Sequence, residues 1–307
     1  MASYLIRRIL WIIPVLFAVS VITFTLMHLT PGGPWAREKR LHPDTEARLN
    51  AEYGLDKPWH EQYVDWVADF LVLDFGPSYR YVDRDVNAII SDGLGTTIQL
   101  GLMAFAVSVI VGIPLGIFAA LGHNKAPDYA STGLSIIGIA TPSFVLAIIL
   151  VLVFSLGLNW FPATSSRWGD WHAWVLPTIA LAGYPIAQIA RYTRASMLEV
   201  TRKDYVRTAQ SKGIRQRAVV VRHMIRNALI PVVTILGPIL AFLVTGSFVV
   251  EYFFGVPGIG RFYVQSIGTR DYSLLMAMTM LYAFTVAALN IVVDVLYAYI
   301  DPRIRYS

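Results

Sequence analysis

Cysteine is absent from the chain, so no disulfide and no thiolate-held metal can contribute to its fold, and the redox compartment cannot be read from thiol usage. Charge is scarce: Asp, Glu, Lys and Arg make up 15% of 307 residues against 56% hydrophobic ones, a balance too apolar for a soluble domain of this length. The six histidines are scattered without metal-ligand spacing. No GxxxxGK[ST] run occurs, so the chain carries no P-loop, and any ATP that drives it is hydrolysed on another subunit. Asp74-Phe75-Gly76 spells a kinase triplet without a catalytic loop or β3 lysine, and His60-Glu61 opens a zinc-protease pattern that Val64 ends. Gly255 to Gly260, GVPGIG, follows a membrane-length run rather than a strand and has the wrong spacing for a dinucleotide fingerprint. An intramembrane enzyme would need a nucleophile–base pair or a metal set, and neither is visible.

Long apolar runs are plentiful. A helix rising 1.5 Å per residue needs about 20 apolar residues to cross about 30 Å of hydrocarbon. Six runs qualify, at Ile9–Leu29, Thr97–Leu121, Thr132–Leu158, Ala173–Ala190, Leu229–Val250 and Leu274–Tyr299. The first follows Arg7 and Arg8, is too long for a signal-peptide core and precedes no small-residue cleavage site, so it is expected to stay as an anchor. The fourth is the weakest, short and interrupted by Pro177, Gly183 and Pro185. With the N-terminus inside, the internal loops hold 15 Lys or Arg against four acids, so both termini are expected in the cytoplasm. The net charge of +5 thus reflects topology and gives no reason to invoke nucleic acid.

The chain divides by composition into a tail and first span (1–30), an external segment (31–95) and a five-span core (96–307) containing a basic loop at 191–228. The external segment is not linker-like. His42-Pro43 and Gly54 bracket one expected helix, and Trp59, Tyr63, Trp66 and Phe70 form an aromatic stripe on a second, expected to pack on the membrane surface or the tops of the spans. Between Glu251 and Ser273, three glycines and a proline within six residues predict a sharp turn. Charges inside the spans are few. Asp294, with Asn290 and Tyr297 on the same helical face, is expected to be a structural polar node, with a proton or ion relay as the alternative.

The basic loop holds ten Lys or Arg against two acids. Asp204 suits an N-cap and Gly213 a left-handed C-terminal stop, which specifies a short helix of about two turns. After it, Ile214, Ala218, Val221 and Ile225 recur at helical spacing between Arg215, Arg222 and Arg226, predicting a second helix flat on the interface with that stripe against the bundle. Two turns are not stable alone. The first helix should therefore have a partner.

The run RYTRASMLEVTRKDYVRTAQSKG, Arg191 to Gly213, closely resembles the cytoplasmic loop of permease subunits in ATP-binding-cassette importers of the oligopeptide, dipeptide and nickel branch. RRILWIIPVLFAVSVITFTLMHLTPGGP, EYFFGVPGIGRF, RDYSLL and NIVVDVLYAYIDPRIRY resemble other segments of the same family in the same order, and Gly33-Pro34 and Gly76-Pro77-Ser78 are similar to the first permease of the oligopeptide subgroup. The resemblance implies an all-α membrane protein with six transmembrane helices, a cytoplasmic coupling helix and a helical external segment. It implies an ATPase contact at Tyr205, Arg207, Thr208, Ala209, Lys212 and Gly213, where Arg207-Thr208-Ala209 stand in place of the general Glu-Ala-Ala. It also implies a second, similar permease, two cytosolic ATPases carrying ATP and Mg, an extracytoplasmic substrate-binding protein, surrounding lipid, and no cofactor on this chain. Small residues at Pro142, Ser143, Gly246 and Ser247 are expected to leave room for a translocation path. Nickel, glutathione or oligosaccharide cargo is the alternative within the class. A stand-alone secondary transporter is the alternative outside it, but would need internal repeats and midplane ion sites that are not evident.

Overall fold

The computed structural model describes residues 2–35, 42–81, 83–164 and 168–300, with the backbone alone at 2–5 and 296–300. Among them there is no strand, only an isolated bridge between Pro77 and Asp85. Five helices are long and apolar enough to cross a membrane, or six if one bent pair counts as a single span. The described residues fall into two compact units, one drawn from 2–96 and 257–291, the other from 97–256 and 292–300.

In the first unit, α1 (Ala2–Leu29) is nearly bare, with 6% of its most apolar stretch buried. Two short helices follow, α2 (Pro43–Glu52) and α3 (Trp59–Leu71). The aromatic stripe of α3 turns toward α1: Tyr63 meets Phe24 edge-on at 5.2 Å, its hydroxyl lies 2.8 Å from that of Ser20, and Trp59 lies 5.1 Å from the His28 ring. The start of α4 (Val86–Leu121) packs Val86, Ile89 and Ile90 on Ile259, Leu274 and Ala277. That α4 runs 36 residues, about 54 Å at 1.5 Å per residue, explains how it contributes to both units.

The second unit is built around α7 (His172–Thr201), an unbroken helix of 30 residues with 67% of its most apolar stretch buried. The sequence marks this span as short and weak. It is instead the central helix, and the two facts have one cause. A helix surrounded by protein need not be apolar on every side, so Thr178, Thr193 and Ser196 are tolerated in its buried face. Pro177 and Pro185 are buried there too, where packed neighbours hold the helix through the hydrogen bonds that proline removes. Close approach to α4 is set by glycine: a Cβ at Gly116 would lie 2.5 Å from the Ala190 carbonyl oxygen.

Two expected spans are broken. The third is α5 (Ala126–Ala140) followed by α6 (Ser143–Leu150, continuing as a π-helix over Val151–Gly157), bent by 110° between them. Pro142 has no N–H to donate and drives Thr141 into an extended conformation, φ −88° and ψ 117°, which ends α5. The fifth is α9 (Gln216–Val244), which stops six residues before Val250. Gly246 then turns the chain at φ +93°, and α10 (Phe248–Phe254) begins after a Ser247 cap. The glycine-rich turn follows: Gly255 closes α10 in the left-handed region, Gly258 precedes α11 (Ile259–Thr269), and α12 (Tyr272–Ile300) completes the chain.

Candidate functional site

The basic loop folds as expected at its first half. Helix α8 (Asp204–Ser211) spans two turns, and Gly213 takes the left-handed conformation at φ +72° with open space where a Cβ would stand. The cap differs by one residue. Lys203 is the N-cap, and Asp204 opens the first turn, where its carboxylate favours the positive helix end. Lys203 pairs with Glu199 at 2.9 Å, so the junction between α7 and α8 is tied from outside.

One face of α8 is buried in the chain's own core. Val206 and Ala209 pack against Met197 and Val200 of α7 and against Val219, Met224 and Ala228 of α9. Of the residues expected at the ATPase contact, Ala209 is therefore turned inward, 5% exposed, and acts as an anchor. Tyr205, Arg207, Thr208, Lys212 and Gly213 are all exposed. The Thr208 hydroxyl donates to the Asp204 carbonyl at 2.9 Å, so its oxygen also serves the helix. What α8 offers outward is a ring of tyrosine, two cations and backbone.

The second half departs from expectation. No separate helix lies flat after Gly213; Gln216 starts α9, which runs on into the fifth span. The expected inward stripe is split: Val221 and Ile214 are exposed, at 62% and 38%, Ala218 is half-buried, and Ile225 packs half-buried on the cluster whose fully enclosed members here are Val219, Met224 and Ala228. Val219–Ile225 is π-helical, and a π-turn bonds i to i+5 instead of i+4. The buried positions accordingly step by five and then by four. Helical periodicity of 3.6 cannot anticipate that insertion.

The residues nominated for a path lie at the two breaks. Pro142 is exposed and Ser143 half-buried at the bend, and α6 packs against α10, the helix that follows the other break. Gly246 is buried. A Cβ there would stand 2.5 Å from Thr97 Cγ2 and 2.9 Å from Glu251 Oε1, so its smallness serves close packing. Ser247 Oγ accepts from the Val250 N–H at 3.3 Å. On α12, Asn290 is exposed and Asp294 half-buried, one turn apart; the Tyr297 side chain lies outside the described residues.

Three polar links were not apparent in the sequence. Asp128, on the loop-facing end of α5, receives both Arg194 Nε and Arg194 Nη2, the second at 2.8 Å, together with the Asn124 N–H at 2.9 Å. Fully buried Glu251 accepts from the Thr97 hydroxyl at 3.0 Å. In the first unit, fully buried Asp271 accepts from Ser78 Oγ, from the Tyr79 N–H at 3.2 Å and from the Leu274 N–H at 3.2 Å. Nearby, burial, reinforced by the Asp271 charge, pushes the Tyr79 phenol well above its ordinary value. An acid followed by an apolar helix is the signal that could have marked Asp271 as a cap; partners about 190 residues away leave no local trace.

This is the architecture of a multi-pass membrane permease, with broken spans and a helix docked by one face beside them. The profile of binding-protein-dependent transport system inner membrane components matches residues 112–306, and the profile of the N-terminal region of such components matches residues 1–101. The chain belongs to that family, as an inner-membrane permease subunit of an ABC importer. It is 39% identical over 306 residues to the oligopeptide transport system permease protein OppB of Haemophilus influenzae, and 40% identical over 306 residues to that of Escherichia coli K12, each alignment covering 100% of both chains. It is 40% identical over 305 residues to the dipeptide transport system permease protein DppB of Bacillus subtilis, covering 99% of this chain and 98% of the relative. In fold it is similar to a chain in the crystal structure of an amino acid ABC transporter with histidines, with a TM-score of 0.54 at 17% identity over 69% of this chain and 94% of that one.

Proposed function

We propose that this permease moves oligopeptides or dipeptides across the inner membrane, with both of its termini in the cytoplasm. It pairs with a second, similar permease in a heterodimer, receives cargo from an extracytoplasmic binding protein and is driven by two ATPase subunits that hold ATP and Mg. The observation that carries the reading is full-length similarity to oligopeptide and dipeptide permeases, combined with an exposed two-turn helix anchored by its other face. Such a helix transmits force: Tyr205, Arg207 and Lys212 meet the ATPase, while Val206 and Ala209 pass its motion to α7 and α9. The two breaks, at Thr141–Pro142 and Thr245–Ser247, support a path beside α6 and α10, since broken helices in transporters accompany substrate sites.

Reconstitution of the permease with its co-purifying subunits tests this. ATP-dependent uptake of labelled peptide is expected, and the Tyr205→Ala, Lys212→Ala double variant should hydrolyse ATP while transporting at least tenfold less. Peptide uptake by this chain alone on a proton gradient would overturn the importer reading, and unchanged uptake by the double variant would overturn the assigned contact.

A further inference from the structure

A groove of about 470 Å³ opens between α5 and α7, along residues 131–140 of the first and 190–194 of the second. Its two ends differ in chemistry. Toward the loop it is lined by Ser131, Thr132, Ser135 and Arg191; toward the middle of the span, by Ile136, Ile139, Ala140 and Ala190. Arg194 also reaches the groove, but its charge is taken by Asp128. Arg191 is different: it is exposed, its guanidinium lies 5.8 Å from the ring centre of Tyr192, and among the described residues no carboxylate pairs with it. The Ser135 side chain lines the same space at 5% exposure and has no hydrogen-bond partner among the described residues.

We infer that this groove is a binding site for an anionic phospholipid. Arg191 and the Ser135 and Thr132 hydroxyls hold the phosphodiester at the level of the headgroups, and one acyl chain follows Ile136, Ile139 and Ala140 into the hydrocarbon. The arrangement is ordered as a phospholipid is ordered, cationic and hydroxylic at the interface and aliphatic below it, over about 13 Å of helix from Ser131 to Ala140. A covering protein helix fits less well, because it would have to bury an arginine that has no acid partner in this chain.

Photo-crosslinking tests the inference. Benzoylphenylalanine is placed at Ile139 in the permease reconstituted with its co-purifying subunits, in vesicles of equal phosphatidylglycerol and phosphatidylcholine, and the adducts on this chain are weighed by mass spectrometry. Phosphatidylglycerol adducts should exceed phosphatidylcholine adducts about fivefold, the preference expected of one arginine at a headgroup. Arg191→Gln should bring the ratio close to one, Ser135→Ala should lower it, and Arg191→Lys should keep most of it. Equal adducts in the unaltered chain, crosslinks to another polypeptide, or loss of the preference in millimolar inorganic phosphate would each overturn the proposal. The first would mean no headgroup selection, the second a protein cover, the third a free-anion site.

Discussion

At Gly246 two constraints coincide, a left-handed φ of +93° and a Cβ position already occupied by Thr97 and Glu251. At Gly213 only the first applies, since nothing lies within 4 Å of its Cβ position. The two glycines should therefore respond differently to alanine. Gly213→Ala is expected to cost about 1 kcal/mol, the strain of a left-handed non-glycine residue. Gly246→Ala adds overpacking and is expected to cost about 3 kcal/mol or more. Thermal unfolding of the two variants in detergent checks this; equal shifts in Tm would mean that the crowding at Gly246 relaxes without cost. Gly213 reads from the sequence as a left-handed stop, whereas Gly246, inside the fifth apolar run, reads only as a small residue leaving room for a path; its left-handed φ and its crowding by Thr97 and Glu251 come from the break in that span.

The short α8 is stable because of what lies beneath it. Eight residues would not hold a helix in water, and here Val206 and Ala209 are enclosed by α7 and α9. Ala209→Glu places a carboxylate in that core and is expected to release the helix, with proteinase K cleaving between residues 203 and 213 at least tenfold faster in the folded permease. Tyr205→Ala, on the exposed face, should leave the cleavage rate unchanged. If the two variants are cut equally, the docking of α8 is not what orders the loop. The limits of this helix were legible because capping and left-handed stops are local chemistry. The packing face of the next segment was not, because the π-helical stretch at Val219–Ile225 changes the register of every residue after it without any compositional mark.

On the scale of the molecule, the first unit joins chain segments far apart in sequence. Arg270 Nη1 donates to the Pro31 and Gly33 carbonyls at 2.6 and 3.1 Å, Tyr272 donates to the Met27 carbonyl at 2.9 Å, and Asp271 gathers Ser78, Tyr79 and the start of α12. The Gly76-Pro77-Ser78 and Arg270-Asp271-Tyr272 runs, separate signatures along the chain, are two halves of one contact. Asp271→Ala leaves three donors without an acceptor and removes the cap of α12, an expected loss of about 3 kcal/mol or more. Ser78→Ala leaves Asp271 two donors and its cap of α12 but deprives the Arg80 and Tyr81 N–H groups of the hydroxyl that accepts from them at 3.1 and 3.0 Å, so it should cost less, about 2 kcal/mol. Protease sensitivity of the 42–81 segment and Tm, measured on both variants, test the order; a larger effect from Ser78 would place the keystone elsewhere.

Hydropathy and loop charge alone determine that this chain is a multi-span membrane protein and where its apolar runs lie, because a bilayer imposes a length and a polarity on every crossing segment. Local chemistry alone determines a short helix between Asp204 and Gly213, with its start misplaced by one residue. The tertiary structure decided which run is central, which are broken and which face of each packs. Apolarity records that a residue avoids water, and inside a membrane that is equally true of a side chain facing lipid and one facing another helix. The weak fourth run became the core for that reason: what it lacked in hydropathy was supplied by neighbours that the sequence places elsewhere.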